Sequence, residues 1–341
     1  MTDESESVRP GRIEGRNCKY RSGMHRIPKQ CNNQIEIVLQ KNKHQAAHKD
    51  KKVGQGSQDK RRTVIKGFFS DLFYLGYKIE SIYNLKEKHL MAVFHFLEEQ
   101  GQSPATIQNK ISIMRVFCVW IGKVGMVGDS VVYVKEKSSV RRSMVVKEDK
   151  SWAGKGVDVL AKLAEVTNAD ETIALVLELC WAFGLRVQEA LKLRPGVSHV
   201  GEFVWVLEGT KGERPRVIPV ENAIQRNVLA KSKAIVDKKT GFFGKRGKSF
   251  KQKHTRFYTV MVACGITLRD DGITAHGLRY QYMHESFKLL MGIEPPIRGG
   301  DINQVEKYKY HEASQQLMER AGHTRVSIGA SYYGSRRRAK S

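Results

Sequence analysis

At 341 residues the chain is long enough for two domains, each with an apolar core of its own. Lys and Arg outnumber Asp and Glu by 59 to 35, and the formal net charge of +24 indicates a polyanionic partner rather than a protein that is merely basic. The sequence has no apolar run of membrane-spanning length and no apolar segment near its N-terminus. These features argue against a membrane protein and a secreted protein, and they predict a cytoplasmic location.

The first 60 residues are rich in Lys, Arg, Gln, Asn, Gly and Ser, which predicts a basic N-terminal arm, flexible over most of its length. Within it, NNQIEIVLQKNK is expected to form a short helix or strand. Two roles stay open for the arm, contact with the polyanionic partner or a solvated tail.

Residues 61–145 have apolar side chains three and four positions apart, as in VIKGFFSDLFYLGYKI, which predicts a small bundle of helices. Ser103-Pro104 is a typical helix start, because Ser caps the helix and Pro fits its first turn. Such a bundle serves either as a scaffold or as half of a clamp. Residues 146–157 are charged and contain Gly, and are predicted to be a linker.

A second domain is predicted over residues 158–341, including a basic C-terminal tail. Its segments are mostly helical, with later helices expected at 221–237, 251–264, 276–292 and 303–321. FVWVLEG and RVIPV are rich in β-formers and flank a turn sequence, which indicates a hairpin. The predicted fold class is therefore mainly α with a small antiparallel β-sheet.

Five cysteines, an odd number at wide spacing, do not indicate a disulfide framework. Cys18, Cys31, His44 and His48 are residue types that bind zinc, but the long gap between the two cysteines is not the usual zinc-ligand spacing. The sequence also has no carboxylate cluster for a metal. We therefore predict no metal and no cofactor.

Arg186 follows a strongly apolar helix in ELCWAFGLRVQEALKLRP, and Gly184 is expected to end that helix so that Arg186 begins the next. A guanidinium at a helix start is well placed to hold a phosphate. Glu189 lies three residues later on the same helical face and could orient a neighbouring group. The alternative, an ordinary surface Arg–Glu pair, is favoured on these residues alone.

His276 and Arg279 place two further phosphate donors one helical turn apart, with Thr274 as a candidate N-cap. Near the C-terminus, Gly322-His323 precedes Tyr332 by nine residues. Each motif is weak alone, but their order in one basic chain is difficult to obtain by chance.

These motifs resemble those of the tyrosine recombinases, the phage integrase family, over about residues 60–335. GLRVQEALKL resembles the first arginine box, AHGLRY the His-x-x-Arg box, and AGHTRVSIGASYYG the Gly-His-to-Tyr box. The preceding helical segment resembles the core-binding domain less specifically. The resemblance implies a helical core-binding domain and a catalytic domain that together clamp duplex DNA.

The resemblance also implies a role for each residue of the predicted catalytic set, which is Arg186, Lys211, His276, Arg279, His323 and Tyr332. The two arginines would hold the non-bridging oxygens, and the histidines would donate hydrogen bonds or accept a proton. Tyr332 would attack phosphorus and form a 3′-phosphotyrosine, while Lys211 on the hairpin tip would protonate the leaving 5′-oxygen. Tyr333 adjoins the nucleophile, and the nine-residue spacing favours Tyr332.

The function predicted on this basis is site-specific recombination for the integration or excision of a mobile element in bacteria, at the nucleoid. The implied partners are double-stranded DNA with specific sites, three further copies in a homotetramer, and accessory factors that bend DNA or set direction. A non-cutting DNA-binding regulator and a type IB topoisomerase-like relaxing enzyme stay as alternatives.

Three further segments carry weaker predictions. The stretch 291–311 lengthens the interval between the second and third boxes and is interpreted as an insertion, a loop followed by a helix. The Lys-rich stretch 244–256 is predicted to contact DNA phosphates rather than bases. His284 and His311 are interpreted as structural or surface residues.

Overall fold

The structure is a computed structural model that describes residues 25–45, 53–212, 214–244 and 247–335. The chain divides into two compact units, Met1–Arg142 and Ser143–Ser341, called unit 1 and unit 2 below. Among the described helices, none combines the length and the apolar character that crossing a membrane requires.

In its described residues, unit 1 is a bundle of four helices around an aromatic core. Its helices are α1 (Lys29–Lys41), α2 (Gln55–Tyr74), α3 (Glu87–Glu99) and α4 (Pro104–Trp120), followed by 3₁₀ turns at Ser130–Tyr133 and Lys137–Val140. α4 starts as expected, with Pro104 in its first turn and Ser103 Oγ accepting a hydrogen bond from the amide of Thr106. Phe69, Phe94 and Phe117 are fully buried in the core.

α1 lies inside the range for which a basic flexible arm was predicted. Its buried side chains are Cys31, Ile35, Val38 and Leu39, which share one helical face and pack into the core of unit 1. The short helix or strand expected for NNQIEIVLQKNK is thus a helix, and its apolar stripe is buried by the bundle. Residues 1–24 lie outside the described part of the chain.

Unit 2 is mainly helical with one small sheet. Its elements are α5 (Val159–Ala169), α6 (Glu171–Phe183), α7 (Val187–Lys192), α8 (Pro195–Ser198), β1 (His199–Val200), β2 (Phe203–Val206), β3 (Arg216–Pro219), α9 (Ala223–Ile235), α10 (Phe250–Ala263), α11 (Ala275–Met291), α12 (Lys307–Arg320) and α13 (Ala330–Tyr333). α6 is the central helix, almost entirely apolar and packed against α5, α9 and α11. It ends at Gly184, whose positive φ of 59° a side chain would strain.

The sheet has the order β1-β2-β3 and is antiparallel throughout, which confirms the predicted hairpin and the mainly α fold class. Val204 faces Ile218 across the β2–β3 pair, and both are buried against the helices. β1 has only two residues, too few for an alternating pattern to reveal it.

The segment predicted as a linker is packed against unit 2. Trp152 is fully buried and donates a hydrogen bond from Nε1 to the carbonyl oxygen of Thr274 at 2.8 Å. The amide of Val146 donates to the carbonyl oxygen of Ala330 at 3.0 Å. The burial of one large aromatic side chain outweighs the polar composition that suggested a linker.

The predicted insertion at 291–311 contains two 3₁₀ turns, Pro296–Arg298 and Ile302–Gln304, and then enters α12. Ile302 and Leu317 are buried in a satellite core with Phe287 and Tyr333. This core lies beneath α13, so the inserted segment supports the C-terminal box.

Candidate active site

Arg186 lies in the break between α6 and α7. Its backbone is extended at the N-cap of α7, and its amide donates to Glu189 Oε2 at 2.7 Å. The guanidinium donates to Glu189 Oε1 at 2.8 Å, while Nη2 lies 3.4 Å from Nε2 of His323. The Arg186 side chain is 21% exposed, so one edge of it remains open to a ligand.

Glu189 is completely buried, and it is therefore not part of an ordinary surface pair. Arg216 on β3, itself 6% exposed, donates from Nη1 and Nη2 to the two carboxylate oxygens at 2.6 and 2.7 Å. Burial alone would raise the pKa of Glu189, but the hydrogen bonds and charge of Arg216, together with Arg186, lower it to about 2. Glu189 thus stays ionised and fixes two guanidinium groups.

Arg279 is fully buried below the break between α6 and α7. Its Nη1 donates to the carbonyl oxygen of Gly184 and its Nη2 to that of Ala321, which ties α11 to the two adjacent boxes. Its Nε donates to Tyr332 Oη at 3.1 Å. A guanidinium has five N–H groups, and these contacts use three of them.

Tyr332 and His323 meet at the centre of the site. His323 Nε2 lies 3.1 Å from Tyr332 Oη and 3.5 Å from Nη2 of Arg279. Because a guanidinium only donates, Nε2 is the accepting nitrogen and the ring is neutral. Burial and then the charges of Arg279 and Arg186 lower the pKa of His323 to about 4. The arrangement lets the phenol accept from Arg279 and give its proton to His323.

His276 lies at the exposed mouth of the site, with its ring centroid 6.3 Å from that of Tyr332. Desolvation at the site and the charges of Arg279 and Arg186 lower the pKa of His276 to about 4, although its side chain is exposed. Tyr280, four residues after His276, packs against both rings, and its ring centroid lies 5.4 Å from that of His276 and 5.1 Å from that of Tyr332.

Lys211 is exposed in the connection between β2 and β3. The positive charge of Lys211 contributes to lowering the pKa of His323, so Lys211 lies near enough to the site to affect this ring. Within the described part of the chain, no hydrogen bond joins Lys211 to the other five predicted residues. The structure therefore brings Arg186, Arg279, His323 and Tyr332 into direct contact, with His276 beside them and Lys211 at a distance.

Tyr333 points away from this cluster. It is 1% exposed, its ring packs on Phe287 at 4.7 Å between centroids, and it belongs to the satellite core. Burial raises the pKa of Tyr333, which disfavours its phenolate form.

The sequence did not predict that Arg216, Tyr280 and His284 make contacts at the site. Arg216 and the buried Ile218 are two positions apart on β3 and so lie on the same face of the strand. An arginine on a buried strand face needs a carboxylate partner, and this pattern could have identified Arg216. Tyr280 lies at i+4 from His276 and so on the same helical face. His284, predicted as structural or surface, is buried and hydrogen bonded to the main chain of Tyr332.

Two of the four residues considered as zinc ligands lie in the described part of the chain. Cys18 and His48 lie outside the described residues, and Cys31 is buried in the core of unit 1, where desolvation raises the pKa of its thiol. Across residues 25–45, 53–212, 214–244 and 247–335, no group of three or more His, Cys, Asp or Glu side chains is arranged to hold a metal ion.

Comparison with known families matches most of the chain to two family models. The model described as "Phage integrase, N-terminal" matches residues 39–127, and the model described as "Integrase" matches residues 148–285. The protein is 24% identical over 275 residues to "Tyrosine recombinase XerC" of Corynebacterium glutamicum, covering 79% of this chain and 82% of that protein.

Solved structures with a similar fold include a lambda integrase dimer bound to a COC′ core site, with a TM-score of 0.58, 14% identity, and coverage of 91% of this chain and 79% of that one. The XerH recombinase bound to a palindromic difH substrate gives a TM-score of 0.53 at 15% identity, covering 89% and 81%. The Tn1549 transposon integrase with a circular intermediate DNA gives 0.53 at 12% identity, covering 88% and 95%. At these identities the likeness concerns the fold.

Proposed function

Since the chain belongs to the tyrosine recombinases, the phage integrase family, we propose that it cuts and rejoins duplex DNA at specific sites through a covalent 3′-phosphotyrosine. The observation that carries the proposal is the position of Tyr332 Oη, 3.1 Å from Nε of Arg279 and 3.1 Å from Nε2 of His323. A phenol held between a fixed cation and a neutral imidazole is an activated nucleophile.

In the proposed step, Tyr332 Oη forms a bond to phosphorus while the bond from phosphorus to the 5′-oxygen breaks. The phenolic proton passes to Nε2 of His323, and Lys211 gives a proton to the leaving 5′-oxygen, which departs as a hydroxyl. Arg186 and Arg279 hold the non-bridging oxygens as charge develops on them. Rejoining is the reverse, with a 5′-hydroxyl attacking the phosphotyrosine.

The proposed partners follow from the solved relatives and the charge. Those relatives are DNA-bound, and one is a lambda integrase tetramer on a Holliday junction, which supports duplex DNA and a homotetramer here. The Lys-rich stretch 244–256 is proposed to contact phosphates. Integration or excision of a mobile element at the bacterial nucleoid, assisted by bending or directionality factors, completes the proposal.

The test uses a pool of nicked duplexes with randomised cores. After cleavage, the short strand fragment diffuses away, rejoining cannot occur, and the covalent adduct is trapped. Wild-type protein should form a covalent adduct, and sequencing the trapped strands identifies the site. Tyr332→Phe should abolish the adduct, whereas the matched change Tyr333→Phe should retain it. Adducts that persist in Tyr332→Phe and vanish in Tyr333→Phe would show that Tyr333, and not Tyr332, is the nucleophile.

Other outcomes identify the alternatives. Selective binding of some duplexes without any adduct indicates a non-cutting regulator. Relaxation of supercoiled plasmid without regard to sequence indicates a topoisomerase-like enzyme, because relaxation needs only one cut strand at a time.

Lys211 has a separate test, since its role concerns only the leaving group. Lys211→Ala should slow cleavage on the order of 10² to 10⁴-fold, the usual contribution of a general acid. A substrate with sulfur at the 5′-bridging position should restore most of the rate, because a thiolate leaves without a proton. If sulfur fails to restore cleavage in Lys211→Ala, Lys211 is not the acid.

A further inference from the structure

A second set of contacts holds Tyr332 from its main-chain side. His284 on α11 has its Nε2 2.9 Å from the carbonyl oxygen of Tyr332, and its side chain is fully buried. Because a carbonyl oxygen only accepts, Nε2 carries the proton. Burial is the main cause of a lowered pKa for His284, so the neutral ring with its proton on Nε2 is the favoured form.

The carbonyl needs this donor because of where it lies. α13 has only four residues, and the carbonyl groups of a helix's last turn have no partner within the helix. A helix of one turn is too short to be stable by itself. Its geometry therefore depends on groups outside it.

Such groups come from the segment Val146–Trp152, called the strap below. Val146 donates its amide hydrogen to the carbonyl oxygen of Ala330, at the start of α13. Asp149 Oδ1 lies 3.5 Å from Nδ1 of His284, and this nitrogen has no hydrogen-bond partner among the described residues. The strap thus contacts α13 through the amide of Val146, and its carboxylate lies beside the ring of His284 without a hydrogen bond to it.

The strap carboxylate is itself held in place. Asp149 Oδ2 accepts from Nε of Arg298 at 2.8 Å, and Oδ1 accepts from the amide of Ser151 at 2.8 Å. Arg298 belongs to the inserted segment and also donates to Ser151 Oγ at 2.8 Å. Arg298 therefore joins the inserted segment to the strap.

On the basis of the proposed function, we propose that His284 is a positioning residue for the nucleophile. The hydrogen bond from His284 to the carbonyl of Tyr332 fixes the backbone of α13, and the backbone fixes the direction of the phenol. A tilt of α13 is magnified at Oη, the far end of the side chain. Displacement of a reacting atom by about 1 Å costs on the order of 10²-fold in rate.

The experiment compares two replacements of similar volume. Gln at position 284 can still donate to the carbonyl of Tyr332, whereas Met fills the space and donates nothing. On the trapped nicked duplex, His284→Met should form adduct about 10- to 100-fold more slowly than wild type, and His284→Gln should stay within about threefold. Affinity for the same duplex should be unchanged in both. His311→Met, at an exposed histidine on α12, is the matched control and should cut normally.

Two further measurements separate positioning from other roles. A 5′-bridging sulfur should not rescue His284→Met, because the nucleophile and not the leaving group is affected. His284→Leu, which also lacks a donor, should slow adduct formation at unchanged affinity, and it keeps the proposal testable if His284→Met does not fold.

The proposal is overturned if His284→Met cuts at the wild-type rate, if Gln and Met are equally slow, or if sulfur restores the rate. Failure of the proposed function looks different, because wild-type protein itself would then form no adduct.

Discussion

Replacing Glu189 by Gln removes the buried carboxylate that faces Arg186 and Arg216 while keeping its shape. The wild-type carboxylate accepts two bonds from Arg216 and one from the guanidinium of Arg186, all between 2.6 and 2.8 Å. Gln retains one accepting oxygen and places an amide donor against a guanidinium donor. Arg216, whose side chain is 4% exposed, is then a buried charge without a counter-ion.

Two routes give the same magnitude for this change. The pKa of Glu189 is lowered from 4.5 to about 2 in the fold, which corresponds to about 3 kcal/mol of stability at neutral pH. Breaking a buried ion pair by removing one partner costs about 3–5 kcal/mol. We therefore expect Glu189→Gln to lower the free energy of unfolding by about 3 kcal/mol at pH 7.

Urea unfolding followed by tryptophan fluorescence measures this loss. Replacing Trp120 by Phe leaves three tryptophans, all in unit 2, so the signal reports the unit that contains Glu189. A loss of this size should lower the midpoint by about 1–3 M urea. Glu208→Gln, which removes an exposed carboxylate 3.4 Å from Arg194, is the control and should cost less than about 1 kcal/mol.

The pH dependence provides the refuting result. A carboxyl group with a lowered folded-state pKa stabilises the fold fully above pH 4.5 and loses that contribution as the pH falls towards 2. The difference between wild type and Glu189→Gln should therefore shrink over this interval. A difference below about 1 kcal/mol at pH 7, or one that does not change between pH 5 and pH 3, would show that Glu189 is not the ionised centre of this network.

Three further predictions concern the site and its frame. The ring of His323 should titrate near pH 4 in the DNA-free protein, so its stabilising effect declines as the pH falls from 6.5 to about 4; an NMR midpoint of 6 or above contradicts this. Gly184→Ala should lower the free energy of unfolding in urea by well over 1 kcal/mol, because φ is +59° and the new Cβ would lie 2.4 Å from the ring of Tyr282. The control Gly201→Ala, with φ +57° and open space around the new Cβ, should lower it by only about 1 kcal/mol. Arg279→Lys should reduce adduct formation on the order of 100-fold or more, because Lys cannot reproduce the bonds to two carbonyls and Tyr332, while Arg226→Lys on the exposed face of α9 should have no effect.

The sequence predicted candidate residues whose spacing along the chain is short, and the structure places several of them in contact. Arg279 and His276 lie one turn apart on a helix, and Tyr332 follows His323 at a set distance, so local patterns identify both pairs. The hairpin was predictable because alternating β-formers flank a turn sequence. Each of these features is encoded within about twenty residues.

The contacts that the sequence did not predict join residues distant along the chain. Glu189 and Arg216 are 27 positions apart, His284 and the carbonyl of Tyr332 are 48 apart, and Arg298 and Asp149 are 149 apart. Composition is a poor guide to such contacts, because a charged residue looks the same whether it is solvated or paired inside a core. The strap was interpreted as a linker for this reason.

The charges at the site favour the proposed transition state over the bound substrate. Arg186, Arg216 and Arg279 contribute +3 and Glu189 contributes −1, so the network carries a surplus of +2 with both histidines neutral. A phosphodiester brings −1, and in the proposed step attack by the oxygen of Tyr332 raises this to −2 while His323 gains the phenolic proton. Negative charge then develops on the phosphate beside guanidinium groups that are already fixed, which is the condition for a gain in rate rather than in binding alone. A carboxylate inside a phosphate site is unfavourable for binding by itself, but Glu189 holds two guanidinium groups in fixed directions before DNA arrives, and preorganised charge does not have to reorient during the reaction.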